Sequence, residues 1–312
     1  MLKQNNGSLR IGVDLMGHDN APEVLLKALH QLSQPPHIQI LAIGTPEYER
    51  MAAPLQYQVA DEVIEMSDSP LKAVRSKKNS SLCVGLRLLK DKKIDVFISA
   101  GNTGALVSAS KIILGMKPHF TRPALLTLMP TKKKPLAVLD VGANSDIKAS
   151  HYVQFALLGA EYQRMQGIEK PVVGLLNIGS EPTKGRSELR LAYKELKALT
   201  SAPFVFAGNI EGTSAFEGEI DILVTDGFTG NIFLKTSEGI ANLLLDQLST
   251  HIPEEVLLPF MKTLKRQISY AEYPGAILAG VQGAVIKCHG YSTAQSFASA
   301  IHMASKTFKH DL

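Results

Sequence analysis

The stretch Leu9-Arg10-Ile11-Gly12-Val13-Asp14-Leu15 is a short apolar run. Met16-Gly17-His18-Asp19-Asn20 follows as a turn, and Pro22 to Leu32 then carries apolar residues at helical spacing. A run of this kind, closed by Gly, Asn and Asp and followed by a period near 3.6, is a strand feeding a helix. Repetition of that unit builds a parallel sheet with helices on both faces. The unit recurs along the chain. Strands are expected over Ile38–Ile43, Ile94–Ser99, Leu136–Val141, Val172–Asn177, Phe204–Ala207 and Ile222–Thr225. Helices are expected over Ser80–Lys90, Gly104–Ile113, Ile147–Gln166 and Ser187–Thr200, with a last one over Ser292–Thr307. Pro46 suits the first turn of a further helix. The pattern predicts an α/β fold with a mostly parallel sheet, residues 1–312 forming a single domain.

One stretch departs from the rhythm. Ile240 to Ile268 reads as two helical segments in succession, with a break at His251-Ile252-Pro253. On the second segment Leu257, Met261, Leu264 and Ile268 share a face with Phe260 beside them, while Lys262, Lys265 and Arg266 lie around the other side. Such a basic amphipathic helix either packs its apolar face on its own domain or protrudes as a hairpin toward a membrane surface or a second subunit.

Composition excludes several classes. The chain has 312 residues, of which 45% are apolar and 20% charged, and a formal charge of +4. That length suits about two ordinary domains or one large α/β unit. Cys83 and Cys288 alone cannot form a disulfide framework or a ladder of metal ligands, and a reducing, cytoplasmic setting follows. Met1 to Arg10 lacks the apolar core of a signal peptide, and no run of about 18 apolar residues is present to span a bilayer. The charge excess is too small to argue for nucleic acid, and the absence of Trp with only 6% aromatics disfavours a base-stacking surface. Three basic clusters read as solvated faces, with an acidic protein or a phosphate-bearing partner as the alternative: Lys132-Lys133-Lys134, then Lys72, Arg75, Lys77 and Lys78, then Lys90, Lys92 and Lys93.

Chemistry is expected in the turns that follow strands. They are Asp14 to Asn20, Ser99-Ala100-Gly101-Asn102-Thr103-Gly104, Asp140-Val141-Gly142-Ala143-Asn144, Asn177-Ile178-Gly179 and Asp226-Gly227-Phe228-Thr229-Gly230-Asn231. In a parallel sheet these turns gather at the carboxyl edge, where such folds bind ligands. Helix N-termini there offer unpaired N–H groups and a positive dipole end, which suits a small anion such as phosphate. Each turn alone is equally an ordinary helix cap. No G-x-x-x-x-G-K-[ST] loop, no G-x-G-x-x-G after the first strand, no G-x-S-x-G elbow and no H-E-x-x-H occurs, so nucleotide, acyl-serine and zinc chemistry lack support. Cys288 reads as a small buried residue rather than a nucleophile. Without a protein nucleophile, cofactor or metal, the substrate must itself be nucleophilic, and inorganic phosphate meets that need.

Taken in order, these turns resemble the motifs of the bacterial phosphate acyltransferase family of phospholipid synthesis, often called PlsX. Ile11 to Pro22 resembles its opening motif; Ser99–Ala105, Asp140–Asn144, Asn177–Gly185, Gly208–Gly212, Asp226–Gly239 and His289-Gly290 match the later ones in the same order. His18 stands where the family usually has Gly, and Ser180–Arg186 differs from its usual acidic loop. The resemblance implies transfer of a long-chain acyl group from an acyl-carrier-protein thioester to inorganic phosphate. The acyl-phosphate would then serve glycerol-3-phosphate acyltransferase in the membrane. It implies a three-layer α/β/α fold like that of isocitrate and isopropylmalate dehydrogenases, a homodimer, and a cytoplasmic enzyme attached peripherally to the membrane. Short-chain phosphate acetyl- or butyryltransfer from coenzyme A, and a non-catalytic membrane scaffold, are the competing readings.

The resemblance also assigns roles. Lys184 is expected to bind phosphate or steady the developing oxyanion, and Asn231 to orient phosphate or the carbonyl. His289 either gives a proton to the leaving thiolate or is a structural imidazole. Asn20, Asn102, Thr103, Gly104, Asn144, Gly227, Thr229 and Gly230 are expected to line the phosphate site. Asp14, Asp140 and Asp226 join them, Asp14 and Asp140 as loop holders or as acceptors from Lys184. Leu257, Phe260, Met261 and Leu264 are expected to enter the membrane surface while the nearby cations meet anionic head groups.

Overall fold

A computed structural model describes residues 8–31, 37–252, 275–288 and 294–307. Its strands are β1 (Leu9–Asp14), β2 (Ile38–Gly44), β3 (Gln56–Val59), β4 (Val96–Ser99), β5 (Ala124–Met129), β6 (Leu136–Leu139), β7 (Val172–Leu176), β8 (Val205–Ile210), β9 (Ile222–Val224), β10 (Gly275–Ala279) and β11 (Ala284–Cys288). Its helices are α1 (Pro22–Gln31), α2 (Glu49–Ala52), α3 (Pro70–Ser76), α4 (Ser81–Lys90), α5 (Thr103–Ile113), α6 (Ala149–Met165), α7 (Ser187–Ala198), α8 (Gly227–His251) and, numbered here α9, Ala294–Thr307.

The described residues fall into two compact units, one within 1–123 and 273–312, the other within 124–272. In the first, the strand order is β3-β2-β1-β4-β11-β10. All of its neighbours run parallel except β10 and β11. β1 and β4 are buried almost end to end, as apolar strands covered on both faces must be. Helix α4 packs on β1, β2 and β4, and α9 on β11 and β4. Gly85 of α4 faces the Phe97 ring so closely that any Cβ would collide with it; this lets helix and strand meet without a gap.

In the second unit the order is β5-β6-β9-β7-β8, parallel throughout except for the β5–β6 pair. Helix α6 lies on β6 and β9, α7 on β8, and α8 touches β6. The expected alternation of strand and helix is therefore present in both units. Strands β3, β5, β10 and β11 and helix α3 were not anticipated. β3 is a four-residue edge strand without a buried face, and β5 and β10 enter antiparallel, outside the strand–helix rhythm.

The departure near residue 240 is longer than its sequence pattern suggests. Helix α8 starts at Gly227 and runs 25 residues to His251, so the Asp226–Asn231 turn is its first turn rather than a separate loop. Its end coincides with the expected break. The second segment, with Leu257, Phe260, Met261 and Leu264, lies outside the described residues. Within α8 only Gly227 and Gly230 are buried, and Ile232, Ile240, Leu243 and Leu244 are exposed. Among the described residues no helix is long and apolar enough to cross a membrane.

Candidate active site

In the first unit the carboxyl ends of β1, β4 and β11 bring Asp14, Ser99 and Lys287 side by side. Val13 pairs with Ile98, and Ser99 pairs with Lys287. Ser99 Oγ donates to Asp14 Oδ2 at 2.8 Å, and the Met16 amide donates to Oδ1 at 3.1 Å. The Gly101 amide in turn donates to Ser99 Oγ at 3.1 Å. Burial pushes the Asp14 carboxyl up to about 6, against the opposing pull of Ser81, Ser99, the Met16 amide and the Lys287 charge. Lys287 Nζ donates to the carbonyl of Ala100 at 3.2 Å and to that of Cys288.

Asn102 caps α5 by accepting from Ala105 N at 3.0 Å. Its Nδ2 reaches the carbonyls of Glu65, Met66 and Asp68 at 3.3, 3.1 and 3.1 Å. The side chain is thus occupied in holding the 65–68 loop, and what its turn offers an anion is backbone. Thr103 and Gly104 are half-buried on the first turn of α5, where N–H groups point outward and the dipole is positive. Asn20 and His18 are half-buried on the turn after β1. His18 Nε2 is buried without a hydrogen-bond partner, and burial lowers the pKa of the ring. Cys288 is buried and its thiol is pushed up to about 12, which fits a small core residue rather than a thiolate nucleophile. His289 lies outside the described residues.

In the second unit Asp140 is the centre. Its Oδ1 accepts from the amides of Leu125, Gly142 and Ala143 at 3.0, 3.1 and 2.9 Å. Oδ2 accepts from Asn144 N and Nδ2, both at 2.8 Å. Burial nevertheless raises the pKa of this carboxyl, outweighing those donors. Asn144 passes the constraint on, because its carbonyl accepts from Gly227 N at 2.7 Å. Gly230 sits directly against the Asp140 carbonyl, where a Cβ would have no room. The turn after β6 and the start of α8 are thereby locked together.

Asp226 caps α8 through Thr229 N and Oγ1, both at 2.9 Å. It also accepts from Tyr152 Oη at 3.3 Å and Arg186 Nη2 at 2.7 Å. Asn231 is exposed on the first turn of α8, with its Oδ1 3.9 Å from where a Cβ on Gly142 would stand. Lys184 is 48% exposed with Nζ 3.8 Å from Glu181 Oε1. Its turn is held from beneath, by Asn177 Nδ2 on the Lys184 carbonyl at 3.2 Å and Asn209 Nδ2 on the Glu181 carbonyl at 2.8 Å. Among the described residues no hydrogen bond joins Lys184 to Asp140, whose oxygens are taken by the Leu125 amide of β5 and by its own turn.

Sequence reasoning missed Lys287, Arg186 and Tyr152. The first had a signal, as a lone cation in the apolar run Ala284–Cys288. Of the basic clusters, Lys132, Lys133 and Lys134 pair in turn with Glu217, Glu219 and Asp221 and so present little net charge. Among the described residues no group of His, Cys, Asp and Glu could hold a metal ion. Each unit by itself offers backbone N–H groups at a capped helix start, α5 behind Asn102 in the first and α8 behind Asp226 in the second, and such a helix start suits the binding of an oxyanion.

A phosphate acyltransferase from Thermoanaerobacter pseudethanolicus is 38% identical over 318 residues, covering 97% of this chain and 95% of that protein. One from Chlamydia abortus is 40% identical over 306 residues, covering 94% and 93%. Among solved structures, a phosphotransacetylase from Streptococcus pyogenes aligns with a TM-score of 0.66 at 16% identity, over 98% of this chain and 95% of its own. A 4-hydroxythreonine-4-phosphate dehydrogenase from Klebsiella pneumoniae aligns with a TM-score of 0.54 at 13% identity, over 98% and 100%. At such identities those two likenesses concern the fold alone. The family described as fatty acid synthesis protein matches residues 9–312. With that match, and with relatives at this identity over nearly their whole length, the chain belongs to the phosphate acyltransferase family and is an acyltransferase.

Proposed function

We propose that the enzyme moves a long-chain acyl group from an acyl-carrier-protein thioester to inorganic phosphate. A phosphate oxygen attacks the thioester carbon, the C–S bond breaks, and the proton lost by phosphate ends on the departing sulfur; the products are acyl-phosphate and free thiol. Both acyl compounds are activated, so no ATP is required. Holding phosphate against the carbonyl is a matter of positioning, and charge on the carbonyl oxygen in the tetrahedral intermediate calls for aimed N–H groups or a cation. In the second unit Asp140 to Asn144 and Asp226 to Gly230 build the phosphate cradle, and in the first Asn102 to Gly104 offer backbone N–H groups to an anion. Lys184 binds phosphate in that cradle or steadies the oxyanion, Asn231 orients phosphate or the carbonyl, and His289 supplies the proton to sulfur. All of residues 1–312 serve as one catalytic domain, of the three-layer α/β/α dehydrogenase-like class.

The observation that carries the choice of a long acyl chain is α8. A helix that leaves Ile232, Ile240, Leu243 and Leu244 exposed suits a greasy product. It supports a cytoplasmic homodimer attached peripherally to the membrane, delivering acyl-phosphate to glycerol-3-phosphate acyltransferase, with Leu257, Phe260, Met261 and Leu264 entering the lipid surface. The test is incubation with palmitoyl-carrier protein, with and without phosphate, with acyl-phosphate trapped as the hydroxamate. Phosphate-dependent hydroxamate is expected. Turnover of acetyl-coenzyme A in preference to the carrier substrate would favour the short-chain reading, and vesicle binding without any loss of thioester the scaffold. Replacing the four apolar residues by Ser should release the chain from anionic vesicles.

A further inference from the structure

Lys287 is the only Lys or Arg that is buried among the described residues. An ammonium is withdrawn from water only where charge and hydrogen bonds compensate it. Its position is specific. Ser99 and Lys287 are paired across β4 and β11, and Val13 and Ile98, one residue earlier, across β1 and β4. Paired residues of parallel strands share a face, so Asp14, Ser99 and Lys287 form one row across three strand ends. One end of the row holds the turn after β1 through Asp14 and the Met16 amide. The other holds the turn after β4, through Lys287 on the Ala100 carbonyl and Ser99 under the Gly101 amide.

We propose that Lys287 is a positioning residue for acyl transfer: its ammonium, acting through the Ala100 carbonyl and the Asp14–Ser99 pair, keeps the turns after β1 and β4 in the shape that receives phosphate. This rests on the function proposed above. The groups that face Asp14 are Ser81, Ser99, the Met16 amide and Lys287, with Cys83 and His18 feeling the charges of Asp14 and Lys287 respectively. Lys287 is the one cation among them, so its removal makes Asp14 take up a proton at higher pH, and the turn after β1 loses an ionised acceptor.

The experiment measures phosphate-dependent hydroxamate formation across pH with the full chain. It compares wild type, Lys287→Met, Lys287→Arg and the double variant Lys287→Met/Asp14→Asn. Lys287→Met is expected to raise KM for phosphate about tenfold or more, with a smaller change in kcat, and to move the acidic limb of the rate profile upward. Titration of phosphate itself is common to all variants and cancels in the comparison. Lys287→Arg, which keeps the charge, should recover most of the affinity and the wild-type limb. The double variant removes both buried charges and so guards against a single variant that does not fold; it should keep the raised KM while losing the shifted limb. Wild-type KM in either the folded Lys287→Met chain or the double variant overturns the proposal, as does an acidic limb that stays in place in Lys287→Met. A wild-type chain forming no hydroxamate from phosphate would sink the underlying function instead, so the two failures read differently.

Discussion

Substituting Asp140 by Asn keeps the size of the side chain and removes one acceptor. The three amides on Oδ1, from Leu125, Gly142 and Ala143, find a carbonyl oxygen in the same place. At the other position an NH₂ now meets Asn144 N and Nδ2, donors that sit 2.8 Å from Oδ2 in the native protein. A buried donor deprived of its acceptor costs about 1–3 kcal/mol, which gives about 2–6 kcal/mol for the two. The amide also escapes the burial cost that raises the carboxyl's pKa, so the expected loss lies in the lower half, about 2–4 kcal/mol. Urea unfolding followed by circular dichroism measures it as a lower midpoint at unchanged slope. The damage should reach function as well, because Asn144 carries the carbonyl that receives Gly227 N at the head of α8. A loss below about 1 kcal/mol would mean that the donors find other partners and that Asp140 does not anchor the two turns.

Asp14 gives a stability signature with a defined sign. Its folded pKa is raised from 3.8 to about 6, so the folded state binds this proton first, and stability from this group rises as pH falls from above 6 toward 4, by about 3 kcal/mol at about 1.4 kcal/mol per pH unit. Guanidinium unfolding of Asp14→Asn should lack that rise, and an identical pH slope in the variant counts against the buried assignment. Asp221 is 5% exposed and takes Lys134 Nζ at 2.5 Å and Val172 N at 2.7 Å, so Asp221→Ala should cost about 1–3 kcal/mol. Lys133→Ala should leave the unfolding midpoint unchanged, since it and Glu219 are 60% and 71% exposed; equal losses in the two variants would contradict the distinction. Lys184→Ala should raise KM for phosphate, and full activity at subsaturating phosphate would remove Lys184 from the proposed cradle.

The parallel units were legible because alternation of strand and helix is local. Leu9–Asp14, its turn and Pro22–Gln31 can be read without any other part of the chain. The same locality explains the acidic and amide anchors. Asp14, Asn102, Asp140 and Asp226 each bond to an amide two or three residues on, a habit of short polar side chains after strands and before helices. What the sequence hid is non-local. Tyr152 meets Asp226 across 74 positions and Lys287 meets Ala100 across 187, and no pattern within a segment announces such pairs. The excursion was misjudged at its start for a related reason. Asp226-Gly-Phe-Thr-Gly-Asn has the composition of a loop, with two glycines that ordinarily weaken a helix. They are tolerated because Gly227 and Gly230 are where α8 must lie flat against the 140–144 turn.

That division of labour bears on which atoms face the substrate. The carboxylates and amides that drew attention in the sequence are mostly consumed from below: Asp140 by five donors, Asn102 by three carbonyls and a cap, Asp226 by α8, Tyr152 and Arg186. Side chains so occupied cannot also move protons or grip an anion. Their effect is to hold backbone N–H groups at the starts of α5 and α8 in fixed directions, a preorganisation that costs nothing at the moment of reaction. Lys184, 48% exposed, is then the cation with reach to spare, whereas Arg186 is tied to buried Asp226 and belongs with the anchors. Substitution of the anchors should therefore lower stability and phosphate affinity together, whereas substitution at the rim should lower affinity alone.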